Sequence, residues 1–340
     1  MQLSEAENPV VTILRLIESR LRVVKDDGGL ASVLCSQANY DRELLKDYDA
    51  QITVSKTSEP CQAQKHTLDG KLRRRIYSLR ATIVTIDKPS PSADVGRVMR
   101  DKVLEQLLLI IPENRNLPYR TIYNFYPLDS TSATHKAYDA TGTGELEPSN
   151  VSLAELPNVE YSALWGSDDV RHSESANGNG EFAFMLFRFK IGSKGGESRN
   201  EPRKQCLKRV LLSFEGYGVA SQGNGVTLKV WNNLSGVWED AQSGSSGTDQ
   251  TISSILIENL TNYVDSDGFL YLMARTANPS DGVSPATLHC DFVQATVDVR
   301  GITFCDIHTY RDVDVTDVKP FLYKEEIQIV AWLFESIAIS

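Results

Sequence analysis

The chain has no CxxC pair. Its five cysteines, Cys35, Cys61, Cys206, Cys290 and Cys305, are odd in number and widely spread, which argues against a disulfide framework and a zinc knuckle, since both need clustered thiols. Such spacing suits buried or incidental thiols in a protein assembled in a reducing cytoplasm. Long apolar runs are missing too. Nothing reaches the roughly 18 residues that cross a bilayer as a helix, and the final Ile327 to Ile339 is short and interrupted, so no membrane partner is expected. The opening Met1-Gln-Leu-Ser-Glu-Ala-Glu7 has no cationic segment followed by an apolar one, which reads against a cleaved secretory signal. Positive charge is in deficit: 45 acidic residues against 35 basic ones leave a net charge of −10, so the surface as a whole disfavours nonspecific attraction to nucleic acid. A local basic patch is still allowed.

Catalytic signatures are equally sparse. The five histidines, His66, His135, His172, His289 and His308, are scattered, and no HExxH, G-x-S-x-G or Ser/His/Asp pattern accompanies them. The expectation is therefore no enzyme, no cofactor and no metal. Gly216, Gly218, Gly223 and Gly225 superficially suggest a phosphate loop, but strands flank them on both sides, and a phosphate loop joins a strand to a helix. Asp265-Ser-Asp-Gly268 resembles the start of a calcium loop yet lacks its later carboxylates; it reads as a tight turn, with a noncanonical calcium site at the sandwich edge as the alternative.

What is present is an ordinary globular composition. With 41% hydrophobic and 24% charged residues over a length of 340, the chain suits about two domains, each with its own core. Asn8 can cap a first helix, Pro9 suits its first turn, and Val10, Ile13, Leu14, Ile17 and Leu21 form one stripe, ending at Gly28-Gly29. Tyr40 to Tyr48 is ambiguous, and Gln51 to Val54 reads as a strand. Tyr77, Leu79, Ala81 and Ile83 alternate with Ser78, Arg80, Thr82 and Val84, the period of a half-buried strand. Ser92, with Asp94 behind it, can cap a second helix whose stripe is Val95, Val98, Met99, Val103, Leu107 and Ile110, ending at Pro112. Tyr119 to Tyr126 alternates as a strand. Ser130 to Asn179 is polar and reads as a connecting region draped over a neighbouring surface.

From Phe182 the texture changes to strands separated by Gly, Asn, Asp and Ser turns. Phe182 to Ile191, Cys206 to Gly216, Gly225 to Trp231, Ile252 to Ile257, Phe269 to Thr276 and His289 to Val299 predict a sandwich or jelly-roll. The fold expected is α+β: a small α/β-sheet domain built from both chain ends (residues 1–165 and 301–340), with an inserted antiparallel β-sandwich, jelly-roll-like, at 166–300. Two groups stand out as candidate contacts. Arg73, Arg74, Arg75 and Arg80 concentrate positive charge around the long strand, where a solvated edge, contact with an acidic subunit and contact with DNA are the readings in play. Trp231 and Trp238 bracket a hairpin and are candidate glycan contacts if they face outward, or hairpin packing if they do not.

The order helix, strand, long strand, helix, strand and closing strands resembles the small α+β fold of tailed-virus neck and tail-completion proteins, tail terminators included. The portions that carry it are Pro9 to Val54, Lys71 to Tyr126 and Gly301 to Phe334, with Arg74 to Val84, the helix from Ser92 and the Glu325 to Phe334 strand at its centre. The middle of the chain resembles the sandwich modules that decorate virion proteins, which also resemble carbohydrate-binding modules; a tail terminator itself is more compact. The resemblance implies a virion structural protein at the head-tail junction, assembled in the host cytoplasm. Its partners would be copies of itself in a ring, hexameric among the sizes allowed, neighbouring tail-tube and neck proteins, and genomic DNA in the lumen. The alternative is a sandwich protein that recognises a host-surface glycan.

Overall fold

The computed structural model describes residues 6–37, 39–57, 63–65, 72–88, 95–150, 152–193, 201–315, 317 and 319–336, with side chains at all of these except 63–65, 72, 73, 335 and 336. In chain order the elements are α1 (Pro9–Arg20), β1 (Val33–Ser36), β2 (Ala50–Lys56), β3 (Ala63–Lys65), β4 (Leu72–Ile86), α2 (Gly96–Glu113), β5 (Arg120–Asn124), β6 (His135–Gly142) and β7 (Ala154–Glu155). They continue with α3 (Asn158–Tyr161), β8 (His172–Ala176), β9 (Phe182–Lys190), β10 (Leu207–Val219), β11 (Val226–Asn232), β12 (Val237–Gly244), β13 (Gln250–Leu256), β14 (Phe269–Thr276), β15 (Ala286–Val299), β16 (Phe304–Asp312) and β17 (Leu322–Ser336). The fold is sheet-rich, with few helices and mostly antiparallel pairing.

Two compact units divide the chain. Unit 1 draws on Met1–Thr121 and Val299–Ser340, and unit 2 on Ile122–Gly195 and Arg203–Asp298. Unit 1 is a sheet in the order β1-β2-β4-β17-β16, with β3 pairing β4 off that path. Helix α1 starts where its chemistry directs: the Asn8 carboxamide oxygen accepts from the Val10 N–H at 3.1 Å, and Pro9 fills the first turn. Its stripe Val10, Ile13, Leu14, Ile17 and Leu21 is buried against Ile52, Val54, Leu79, Ala81 and Ile83 from the sheet and Val103 and Leu107 from α2. Helix α1 ends at Arg20 and not at the glycine pair. The chain turns extended at Leu21, and Gly28, at φ +84, closes a tight hairpin in which Val24 bridges Leu30. The glycines serve that turn.

Helix α2 departs from expectation in two ways. It continues through Pro112 to Glu113, its end tied by the Asn114 side chain donating to the Ile110 carbonyl at 2.7 Å, because proline in a final turn forfeits only one backbone bond. Val95 and Val98 are exposed, so the buried stripe is Met99, Val103, Leu107 and Ile110. The proposed cap at Ser92 and Asp94 lies outside the described residues.

Unit 2 is built from two antiparallel sheets, β13-β10-β15-β5 with β8 beside β15, and β12-β11-β14-β9-β6-β7. Phe187 of β9 meets Phe214 of β10 and Phe125 at ring-centroid distances of 6.2 and 6.0 Å, so the buried faces of the two sheets meet in an aromatic core. The stretch Ser130 to Asn179 is no connector: it supplies β6, β7, α3 and β8 to this unit, and the unit boundary falls at Thr121, not at 165. Besides His135 and His172, the inward residues of those strands are small, Ala137, Ala140 and Ala176, and the larger anchors Leu156, Tyr161 and Leu164 come from the segment between them.

Candidate interaction faces

Strand period sorts the basic run of unit 1. Tyr77, Leu79, Ala81 and Ile83 of β4 are buried in the helix-packed core, and the intervening Arg74, Ile76, Ser78, Arg80 and Thr82 share the sheet's other face. Register places Trp332 opposite both Ile76 and Phe304, Val330 opposite Ser78, and Glu326 opposite Thr82, all on that second face. There the rings of Phe304 and Trp332 stack at 3.7 Å with 8° between planes, and the Arg74 guanidinium lies 5.3 Å over Trp332. Arg80 sits 3.7 Å from Glu326, which also receives Arg311 at 2.7 Å. The arginines are thus not one patch. Arg74 and Arg80 belong to the second face, Arg75 sits opposite Leu333 on the helix side, and Arg73 sits opposite Glu335 with its side chain outside the described residues.

The core of unit 1 buries two further arginines. Arg15 of α1 reaches both carboxylate oxygens of Glu7, one at 2.8 Å, and donates its Nε–H to the Thr121 hydroxyl at 2.8 Å; Arg15 and Glu7 are each 4% exposed. Arg100 of α2 gathers Asp101 at 2.8 Å, Asp312 at 2.9 Å and Asp314 at 2.7 Å. Burial works against its charge, but those carboxylates more than offset it and hold the guanidinium charged. Glu325 is buried near this group, and desolvation pushes its carboxyl up.

In unit 2 the tryptophan hairpin forms as expected, with Trp231 directly opposite Trp238. The indoles pack edge-to-face at 5.2 Å, and Trp238 donates its N–H to the Leu146 carbonyl at 2.9 Å. The two rings contact each other and both are half-buried, which leaves no flat double platform. The Asp265 turn is also tied up: its carboxylate accepts from the Asp267 and Phe269 N–H groups and from the Tyr271 hydroxyl at 2.8, 2.9 and 3.0 Å. Gly268, at φ +90, is required there because a Cβ would stand 1.8 Å from the Gly192 carbonyl oxygen.

A denser polar group lies on the outer face of β8, β15 and β10. Ser173 is opposite His289 in register, and its hydroxyl is 2.6 Å from His289 Nδ1; Ser175 and Thr287 pair at 2.9 Å one step along. The His289 ring stacks on Tyr217 at 4.4 Å, and burial together with the Arg171 charge keeps that imidazole below its ordinary value. Gly216 makes the approach of β10 to β15 feasible, since a Cβ there would fall 2.1 Å from the His289 carbonyl oxygen. Arg171 lies over the Tyr217 ring and binds Asp249 and Asp169. One carboxylate oxygen each of Asp169, Asp249 and Asp291 lies within 4.8 Å of the others, a group that could hold a cation, and Arg171 already supplies a positive charge to two of them. Ser173 and His289 make two members of a hydrolytic arrangement, but no carboxylate hydrogen bond orients the imidazole, so the site supplies no triad among the described residues. Sequence reading missed these residues because Ser173 and His289 stand 116 positions apart; only the alternation of His289 with buried Leu288 and Cys290 hinted that His289 faces outward.

Residues 132–299, most of unit 2, match a sequence family described as the C-terminal domain of an uncharacterized protein. No curated protein matches the chain. Among solved structures, the enzymatically active domain of tailspike protein 4 from bacteriophage CBA120 aligns at 8% identity over 54% of this chain and 20% of that one, with a TM-score of 0.22. A structure of carbohydrate-binding modules from the β-sandwich superfamily aligns at 7% identity over 76% of this chain and 74% of that one, with a TM-score of 0.12. Likenesses that faint carry no weight for fold or function.

Proposed function

We propose that the chain is a non-enzymatic virion structural protein of the head-tail junction, of the tail-terminator or tail-completion kind. In this reading unit 1 is the α+β assembly unit and unit 2 a jelly-roll-like sandwich that it carries. The observation behind it is the closure of unit 1 by the two ends of the chain: β17 pairs with β4 from Leu322 opposite Ile86 to Ser336 opposite Leu72, with both long helices buried in the same core. A sheet fastened this way tolerates a large insertion, because the insertion leaves and re-enters between α2 and β16 without breaking a strand pair. Subunit contact is assigned to the second face, through Phe304, Trp332, Arg74 and Arg80, with many modest interfaces adding up around a ring. The same arginines are the candidates for DNA in the lumen, and tail-tube and neck proteins are the expected neighbours. Light scattering and negative-stain imaging of the purified chain, alone and with tail-tube protein, should give closed rings that Trp332→Ala weakens. Monomers under both conditions would overturn the reading.

A second reading, glycan recognition by unit 2, is favoured by the outer polar face and not by the tryptophan hairpin. Ser173, Ser175, Thr287, His289 and Tyr217 offer hydroxyl, imidazole and ring groups on rigid strands, and Arg171 has its charge met by neighbouring aspartates. Such a surface suits an uncharged ligand rich in hydroxyls. On a glycan array Tyr217→Ala should abolish signal and Trp231→Ala should keep it; a silent parent protein would remove the idea.

A further inference from the structure

His172 is held by both ring nitrogens at once. Its Nδ1 is 3.0 Å from Glu160 Oε2 and its Nε2 is 3.2 Å from Asp139 Oδ2, with the residue 6% exposed. A neutral imidazole has a single N–H, so one nitrogen would turn a lone pair toward a carboxylate lone pair. The geometry asks for one more proton than a neutral ring carries. The three residues come from three places: His172 from β8 in one sheet, Asp139 from β6 in the other, and Glu160 from α3 in the segment between.

We propose that this arrangement is a proton-operated latch: an extra proton on His172 ties the two sheets of unit 2 to α3, and its loss frees the 154–164 segment. The charged groups facing the ring are Asp139 from β6, Glu160 from α3 and Glu174 from β8 itself; Cys290, opposite His172 on β15, is a buried thiol whose ionisation burial suppresses. Losing the proton therefore leaves these carboxylates around an uncharged ring, without the imidazolium that its bonds to Asp139 and Glu160 hold in place. Burial alone would lower the imidazole, but its bonds to Asp139 and Glu160 outweigh that and raise it. Glu174 is pushed up, first by desolvation and then by Asp139.

A contrasting histidine shows that burial alone does not build the device. His135 is equally buried, but its Nδ1 lies 2.7 Å from the Thr134 carbonyl, its ring packs on Tyr123, Phe125 and Phe189, and among the described residues no carboxylate bonds to it. Burial drives it down to about 4. One buried imidazole gives up its second proton more readily than an ordinary histidine, and the other holds it more tightly.

The sign follows from linkage. His172 binds its proton more tightly in the closed unit than in the open one, so the latch is fully set below the ordinary imidazole value of 6.5 and is lost as pH rises through the higher closed-state value. The test is imidazole nitrogen NMR on the full chain, with amide hydrogen exchange across 154–164. At pH 6 both His172 nitrogens should carry protons, and protection factors in that segment should fall by up to about tenfold per pH unit above pH 6.5 until the ring is neutral. Glu160→Gln offers the neutral ring a carboxamide in place of the second carboxylate; it should lower the titration midpoint of His172 and flatten the pH dependence. His172→Gln supplies the signal assignment. A His172 midpoint at or below the ordinary value, a single protonated nitrogen at pH 6, or protection unmoved by pH in the parent would each overturn the latch.

Discussion

The two units bury carboxylate-held positive charge by different means, while Lys190 of unit 2 is buried over the Phe269 ring instead. Unit 1 uses arginine: Arg15 against Glu7, and Arg100 against Asp101, Asp312 and Asp314. Unit 2 uses histidine, with His172 between Asp139 and Glu160. In each case carboxylates make a desolvated cation tolerable. Guanidinium keeps its charge at any pH the protein meets, and imidazole does not. The same local geometry therefore gives a fixed joint in one unit and a conditional one in the other. On the proposed reading, that suits a division of labour in which unit 1 holds an assembly together and unit 2 responds to its surroundings.

The largest expected effect tests the fixed joint. Arg15→Met leaves the Glu7 carboxylate buried with Thr12 as its remaining donor among the bonds described, and breaking a buried pair in this way costs about 3–5 kcal/mol. Guanidinium titration should show unit 1 losing that stability almost uniformly between about pH 6 and 9. Adding Glu7→Gln should recover a substantial part, because the stranded charge is what costs most. If Arg15→Met alone is nearly silent, unit 1 does not depend on this joint.

Next comes the acid side of unit 2. His135 has its imidazole lowered to about 4, so the folded unit resists a proton that the unfolded chain accepts at 6.5. Its contribution is whole above 6.5 and declines as pH falls toward 4, by roughly 3 kcal/mol over the window. His172 acts in the opposite direction, so unit 2 should be most stable between the two titrations. His135→Phe should flatten the acid limb measured by denaturant titration and leave the alkaline limb alone. An acid limb of unchanged depth would show that His135 does not set it.

A smaller change should make unit 1 behave like unit 2. Arg100→Met would leave Asp101, Asp312, Asp314 and buried Glu325 without the cation they surround, at a cost of roughly 2 kcal/mol near neutral pH. Those carboxyls would then bind protons more tightly folded than unfolded, so unit 1 should regain stability as pH falls through the carboxylate range. The parent should show the reverse trend through Asp312, whose carboxyl is held low by the Asp314 N–H and by Arg100 in spite of its desolvation. Comparing melting curves at about pH 4 and pH 7 separates the two cases.

How far the sequence foretold this depends on how local each signal was. The Asn8-Pro9 cap, the α1 stripe and the two faces of β4 are written within a few residues of one another, and each formed where periodicity put it. The outer strands of unit 2 were hidden because β6 and β8 point alanines and one histidine each inward and serine, threonine and lysine outward, which resembles a polar linker to any count of large apolar groups. The buried charges were hidden for a different reason. Asp139 and His172 are 33 positions apart, and Arg100 and Asp314 are 214 apart; no spacing rule joins such pairs before the strands are registered. The arginine cluster shows the reverse error: Arg74 and Arg75 adjoin in sequence, yet the strand period sends them to opposite faces, and Arg74 shares its face with the more distant Arg80.

That separation supplies the gentlest test. Arg80 and Glu326 form a half-exposed pair 3.7 Å apart, and such pairs contribute no more than about 1 kcal/mol. Arg80→Glu should hardly move the melting temperature, since Arg311 remains beside Glu326 to meet part of the added charge. If the second face carries subunit contacts, the same substitution places a negative charge in every repeated interface, and ring assembly followed by light scattering should fail at protein concentrations where the parent assembles. Arg75→Glu, on the helix side, should instead reduce stability first, with assembly lost only in proportion to unfolding. Equal assembly by the parent and Arg80→Glu would locate the contacts elsewhere, and the comparison of a rigid assembling unit with a responsive carried one would then rest on buried charge alone.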